Sequence, residues 1–152
     1  MFIAIVILAT IVVVGYFVVR ATVTPQVPRT KVAGRLPGPG TYEFNIVGES
    51  HYQHALEAIC GGRTEESAQH KSEAVLYLED SNPYDSQAVR VDIEGQTVGY
   101  LSRSDARAYR KQLKALGHEH LLCKCDAMVV GGWQRSKTDQ GSFGVKLDLP
   151  VA

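Results

Sequence analysis

The hydrophobic pattern changes its rhythm twice along this chain. From Met1 to Val19 there is no alternation: no position is charged, and Ile, Val, Leu and Ala dominate. At about 1.5 Å per residue, a helix of that length crosses a bilayer. Lipid offers the backbone no hydrogen bonds, so helix is the spanning form expected there. From Arg20 to Gly40 the rhythm is lost. Pro25, Pro28, Pro37 and Pro39, with Gly34, Gly38 and Gly40, break any helix and predict a semi-extended tether over 20–40. From Thr41 onward apolar residues return with periods of two and of 3.6, which predicts a folded domain over 41–152.

Within that domain the period-two runs predict short strands over 42–47, 74–79, 87–93, 96–101, 121–130 and 143–149. Residues 62–72 are polar and charged and read as loop. Helical spacing of Tyr52, Ala55, Leu56 and Ile59 predicts one helix, with Ser50 as N-cap, Gln53 completing a capping box and Gly61 at the stop. Ala106, Tyr109, Leu113 and Leu116 predict the inner face of a second, capped by Ser102 or Ser104 and ended by Gly117. Short strands with Gly-rich turns and two inserted helices predict a mostly β fold, a small barrel or rolled sheet. Leu56, Leu76, Val91, Leu113, Val129 and Leu147 lie on the apolar phases and are the expected core.

The stretch around which the domain is organised is Asn82-Pro83-Tyr84-Asp85, followed by Ala88 and Val89. Proline fixes φ, and Asn and Asp side chains bond their own backbone, so this is a rigid turn. It holds a tyrosine and a carboxylate in place, which suits a small binding site; a structural turn with Tyr84 packed on the barrel end is the plain alternative. Glu94-Gly95 then turns the chain into the partner strand.

Charge changes the picture in two places. The chain is neutral overall, with 16 Lys and Arg against 16 Asp and Glu. Yet Arg20, Arg29, Lys31 and Arg35 all follow the apolar run and none precedes it. The positive-inside rule then makes residues 1–19 a single-pass transmembrane helix with the domain in the cytoplasm, and the same cations suit anionic headgroups. A cleaved signal peptide would open with basic residues and carry a small-x-small cleavage site. Met1-Phe2-Ile3 has no Lys or Arg and Ala21-Thr22-Val23 is a poor cleavage site, so an uncleaved anchor is expected. From residue 41 on, the net charge is −4, but Arg103, Arg107, Arg110, Lys111 and Lys114 share one side of the second predicted helix. That side reads as a solvated face or as a phosphate-contacting ridge.

Other chemistry is sparse. Cys60, Cys123 and Cys125 with five histidines invite a zinc site. His118-x-His120 and Cys123-x-Cys125 lack the two-residue gap of zinc knuckles, and no structural zinc or other cofactor is expected. There is no glycine-rich phosphate loop with Lys-Ser/Thr, so no enzyme activity is expected.

Val47-Gly48-Glu49-Ser50-His51-Tyr52, then Asn82-Pro83-Tyr84-Asp85 with Ala88-Val89, then Val98-Gly99-Tyr100-Leu101 ahead of a helix, resemble the HIRAN domain over residues 43–149. The resemblance implies an OB-like β-barrel, a module found alone or fused to helicases and nucleases. In fork-remodelling helicases such domains bind single-stranded DNA at its free 3′ end, with the turn's tyrosine and aspartate on the terminal nucleotide. That role carries over to Tyr84 and Asp85. The resemblance also brings in Asn82, His51 and Tyr52. DNA-binding members have a basic residue and an aromatic two and three positions after the first glycine; here these are Ser50 and His51. Arg103 or Arg107 must then supply the phosphate contact. Two readings follow: a membrane-tethered module for single-stranded DNA or its 3′ ends, or a membrane-anchored module for an unknown protein partner.

Overall fold

The structure, a computed structural model, describes residues 34–150. The expected transmembrane helix over 1–19 and most of the tether lie outside the described residues. Among the described residues no helix is long and apolar enough to cross a membrane.

The described chain is mostly β with two helices. Strands β1 (Gly34–Arg35), β2 (Phe44–Asn45), β3 (Ala68–Glu79), β4 (Ala88–Ile93), β5 (Gln96–Tyr100), β6 (Cys123–Gly131) and β7 (Phe143–Asp148) form one sheet. Helix α1 (Gln53–Cys60) follows a short 3-10 turn at Glu49–His51, and helix α2 (Arg103–Ala115) follows β5. The sheet order is β2-β7-β6-β3-β4-β5, all antiparallel, with β1 added parallel to β6.

Offset pairing curls this sheet. The first part of β3 pairs with β6, from Ala68↔Gly131 to Leu76↔Cys123. Its last part pairs with β4, from Ala74↔Ile93 to Glu79↔Ala88. A bulge between Val91 and Asp92 adds bend where β4 meets β5. The two ends of the path then meet: Val47, just past β2, bridges Tyr100 at the end of β5. Its N–H donates to the Tyr100 carbonyl at 2.8 Å, and the Tyr100 N–H returns to the Val47 carbonyl at 2.9 Å. Gly99 is required at that seam. A Cβ there would sit 2.7 Å from both the Ile46 Cδ1 and the Val47 carbonyl oxygen.

The curled sheet encloses the core. Leu56, Leu76, Val91, Leu113, Val129 and Leu147 are all buried, as the apolar phases require. Cys123 and Cys125 are core residues too, and burial pushes the Cys125 thiol up to about 12.

Four details differ from the pattern-based expectations. Strand β3 starts at Ala68, inside the stretch read as loop. Its polar side chains hid it, but pairing with β6 supplies its backbone bonds, and Glu73 on its outer side pairs with Arg35 and Lys124. Ser50 does not cap α1, which has Tyr52 at its N-cap and no side-chain cap bond. The Gln53 amide goes elsewhere: it donates to the carbonyls of Glu49 and Phe143 and accepts from the Phe143 N–H at 2.8 Å, tying α1 to β7. Leu116 is 70% exposed rather than inner, because α2 ends at Ala115. Finally, residues 34–40 of the tether lie on the sheet. Arg35 pairs with Glu73 and Asp126, and the buried Asp148 carboxylate accepts the N–H groups of Gly40, Thr41 and Tyr42 at 2.9, 3.1 and 3.4 Å.

Candidate nucleic-acid interface

The segment between β3 and β4 is held largely by side chains, its own and those of β3, β4 and α2. Asn82 Oδ1 accepts the N–H of Tyr84 at 2.9 Å and of Asp85 at 3.2 Å, forming the Asx turn. Asn82 Nδ2 donates to Glu79 Oε2 at 2.8 Å, and Arg90 Nη1 donates to the other Glu79 oxygen at 2.7 Å. Arg90 is anchored in turn by the buried Asp92, through Nε–Oδ1 at 2.8 Å and Nη2–Oδ2 at 3.1 Å, and lies 4.6 Å from the Tyr77 ring centroid. The turn is therefore braced by a relay from Asp92 through Arg90 and Glu79 to Asn82.

Asp85 closes the turn and keeps one oxygen in reserve. Its Oδ1 accepts the Gln87 N–H at 2.9 Å and its carbonyl accepts the Ala88 N–H at 3.0 Å. Its Oδ2 faces Arg103 Nε at 3.9 Å and Arg107 Nη2 at 3.8 Å. These are charge contacts, longer than hydrogen bonds. The carboxylate is 16% exposed while its neighbour Tyr84 is 89% exposed. Arg110 fastens the same turn to α2. It donates to the Gln87 and Ala88 carbonyls, both at 2.9 Å, and to Asp80 Oδ1 at 2.6 Å.

Helix α2 brings these arginines to the turn for a local reason. Ser102 caps it, with its Oγ accepting the Asp105 N–H at 3.2 Å, so the helix starts directly after the seam at Tyr100. Positions 103, 107 and 110 then share one side, at i, i+4 and i+7.

Of the residues singled out from the sequence, the structure brings together Asn82, Tyr84, Asp85, Arg103 and Arg107. Tyr52 reaches the group indirectly. Burial first, then the Glu79 charge, then the neighbouring Tyr52 push the Tyr100 phenol up to about 12, which puts Tyr52 near Tyr100 on the flank of the relay. His51 stands edge-on to Tyr52, 6.5 Å between ring centroids. Sequence reasoning missed Arg110 as the staple and missed Glu79, Arg90 and Tyr100 as the brace. The brace has a sequence signal: polar and aromatic residues occupy the outward phase of β3, β4 and β5, with Tyr77 opposite Arg90 and Arg90 opposite Tyr100.

The chemistry open to this arrangement is narrow. It offers an exposed ring that can stack, one free carboxylate oxygen and two arginines beside it. Among the described residues no group of three or more His, Cys, Asp or Glu side chains is placed to hold a metal. A family model described as HIRAN domain matches residues 39–133. The chain belongs to the HIRAN domain family. No curated protein and no solved structure matches it. The HIRAN match takes in the Asx turn, the seam at Gly99 and the whole of α2, so every residue of the candidate interface falls within it.

Proposed function

We propose that this HIRAN domain binds single-stranded DNA at a free 3′ end and is tethered to the membrane by residues 1–19. HIRAN membership supports DNA binding at the level of the family. The observation that carries the finer reading is Asp85. One of its oxygens is spent on the turn, and the other takes no hydrogen bond among the described residues and has only the longer charge contacts to Arg103 and Arg107. That oxygen can accept a hydrogen bond from a 3′-hydroxyl and repels a phosphate in the same place. Tyr84 stacks on the terminal base without regard to its identity. In this reading Arg103 and Arg107 supply the phosphate contact that Ser50 does not, and Asn82, Tyr52 and His51 complete the site.

Anisotropy titration of the full chain, in detergent, with short single strands ending in a 3′-hydroxyl or a 3′-phosphate tests this. The hydroxyl strand binds more tightly if the reading is right; equal affinities contradict it. The tether rests on the uncharged run of residues 1–19 followed only by cations, with the domain in the cytoplasm. Recovery of the intact chain in the membrane fraction is the expected outcome, and a soluble chain lacking its first residues overturns it.

A second reading, an interaction module for a protein partner, draws on one observation. Leu36, Phe44, Leu113, Leu116 and Leu149 line an apolar groove of about 330 Å³ between α2 and the sheet end. Absence of any DNA binding at low salt, where phosphate contacts are strongest, moves the function there.

A further inference from the structure

The folded domain is acidic, yet two of its cations stand apart from its ion pairs. Asp92, Asp148, Glu73 and Glu79 are all engaged by neighbouring N–H or guanidinium and ammonium groups. Lys111 and Lys114 are exposed and, among the described residues, form no ion pair. They are not scattered on a convex surface. With Arg107, Arg110 and His120, and with Asp80, already paired to Arg110, and Glu119 at its rim, they line a groove of about 380 Å³ beside α2. The groove adjoins the candidate interface through a shared residue: Arg107 lines it and also stands 3.8 Å from Asp85. Arg110 forms its floor, already tied to the carbonyls of the turn.

From the proposed 3′-end reading, we infer that this groove is a second nucleic-acid subsite, which takes the phosphates of the strand upstream of its terminal nucleotide. Arg103, Arg107, Lys111 and Lys114 follow one another at i, i+4, i+8 and i+11 along α2, a track of about 16 Å. The track starts at Asp85, where the strand would end, and leads away from it. Arg103 and Arg107 share the Asp85 carboxylate at its near end, whereas Lys111 and Lys114 form no ion pair among the described residues, so a phosphate arriving at the two lysines breaks no salt bridge. It carries no aromatic ring, so it holds backbone and reads no base. It also gives a domain of net charge −4 a local line of cations for a strand to follow.

The test compares the full chain with a Lys111→Glu/Lys114→Glu double variant on strands of about 4 and about 12 nucleotides, the range one such fold covers. Both lysines are exposed, so an unchanged thermal midpoint is expected and is checked first. The wild type should bind the longer strand more tightly and with a steeper salt dependence. In the variant the salt slope on the longer strand should fall by about 1.4, since each single-strand phosphate contact contributes about 0.7. Its affinity for the shorter strand should stay within about twofold of the wild type. Equal slopes and affinities for the two proteins on the longer strand overturn the second subsite and leave the 3′-end reading standing. A wild type that binds neither strand overturns both. If the proteins bind the longer strand alike, and both lysines become shielded from amine labelling only in nanodiscs containing phosphatidylserine, the groove faces headgroups and the inference is wrong.

Discussion

Strand β4 is entered and left through turns of opposite kind. Its exit, Glu94-Gly95, is solved chiefly by backbone. Both residues have positive φ, 50° and 76°, the combination that a two-residue hairpin with right-handed strand twist demands. One side-chain bond spans that exit, Thr97 Oγ1 donating to Asp92 Oδ1 at 3.0 Å, and the Glu94 carboxylate approaches His70 only to 3.8 Å. The entry, from Asp80 to Gln87, is solved by side chains. Asn82, Asp85, Glu79, Arg90 and Arg110 all spend hydrogen bonds on it. A two-residue turn would connect β3 to β4 with fewer parts. The entry is longer and braced, and it holds an exposed ring and a half-committed carboxylate in place. That is the difference between a turn that connects and a turn that presents.

Substitutions break this contrast in a graded way. Arg110→Ala removes three bonds from a partly buried guanidinium and leaves two carbonyls without it. We expect a loss of about 1.5–3 kcal/mol of stability by denaturant melt, together with weaker DNA binding as the turn loosens. Tyr84→Ala should act in the other direction, on binding alone. It should weaken every single strand by about 1–3 kcal/mol in anisotropy titrations, while stability stays within about 0.5 kcal/mol because the ring is exposed. Asn82→Ala deletes the Asx acceptor and should cost about 1 kcal/mol of stability, again with reduced binding. Glu94→Gly, at the plain turn, should change stability by less than about 1 kcal/mol and binding not at all, since Gly takes positive φ without strain. A DNA-binding defect from Glu94→Gly as large as that from Asn82→Ala would erase the distinction between the turns.

The presenting turn was largely legible in the sequence because its logic is local. Pro83 and the two Asx residues announce it within a few positions. The core was legible for a similar reason: each strand reports its inner face through a period of two, as Leu76, Val91, Val129 and Leu147 show. What escaped is long-range. Gln53 looks like half of a capping box, but its amide bonds to Phe143, 90 positions away. Arg110 looks like one more cation on a solvated helix, but it reaches back across more than twenty positions to Gln87 and Ala88. Ala68 to Ser72 looks like loop because its partner is a backbone, that of β6, and not a buried side chain. The HIRAN match closes the family question and leaves the ligand to these local features.

Asp85→Asn gives the most direct test of the account. The amide keeps an oxygen to accept the Gln87 N–H, so the turn survives, but the negative charge beside Arg103 and Arg107 is gone. The measurement is the affinity ratio between strands ending in a 3′-hydroxyl and in a 3′-phosphate, for wild type and variant side by side at low salt. The account predicts a clear hydroxyl preference in the wild type that collapses toward unity, or inverts, in the variant, while the thermal midpoint holds. A variant that retains the full wild-type preference would contradict it, and the carboxylate would then be a turn residue only.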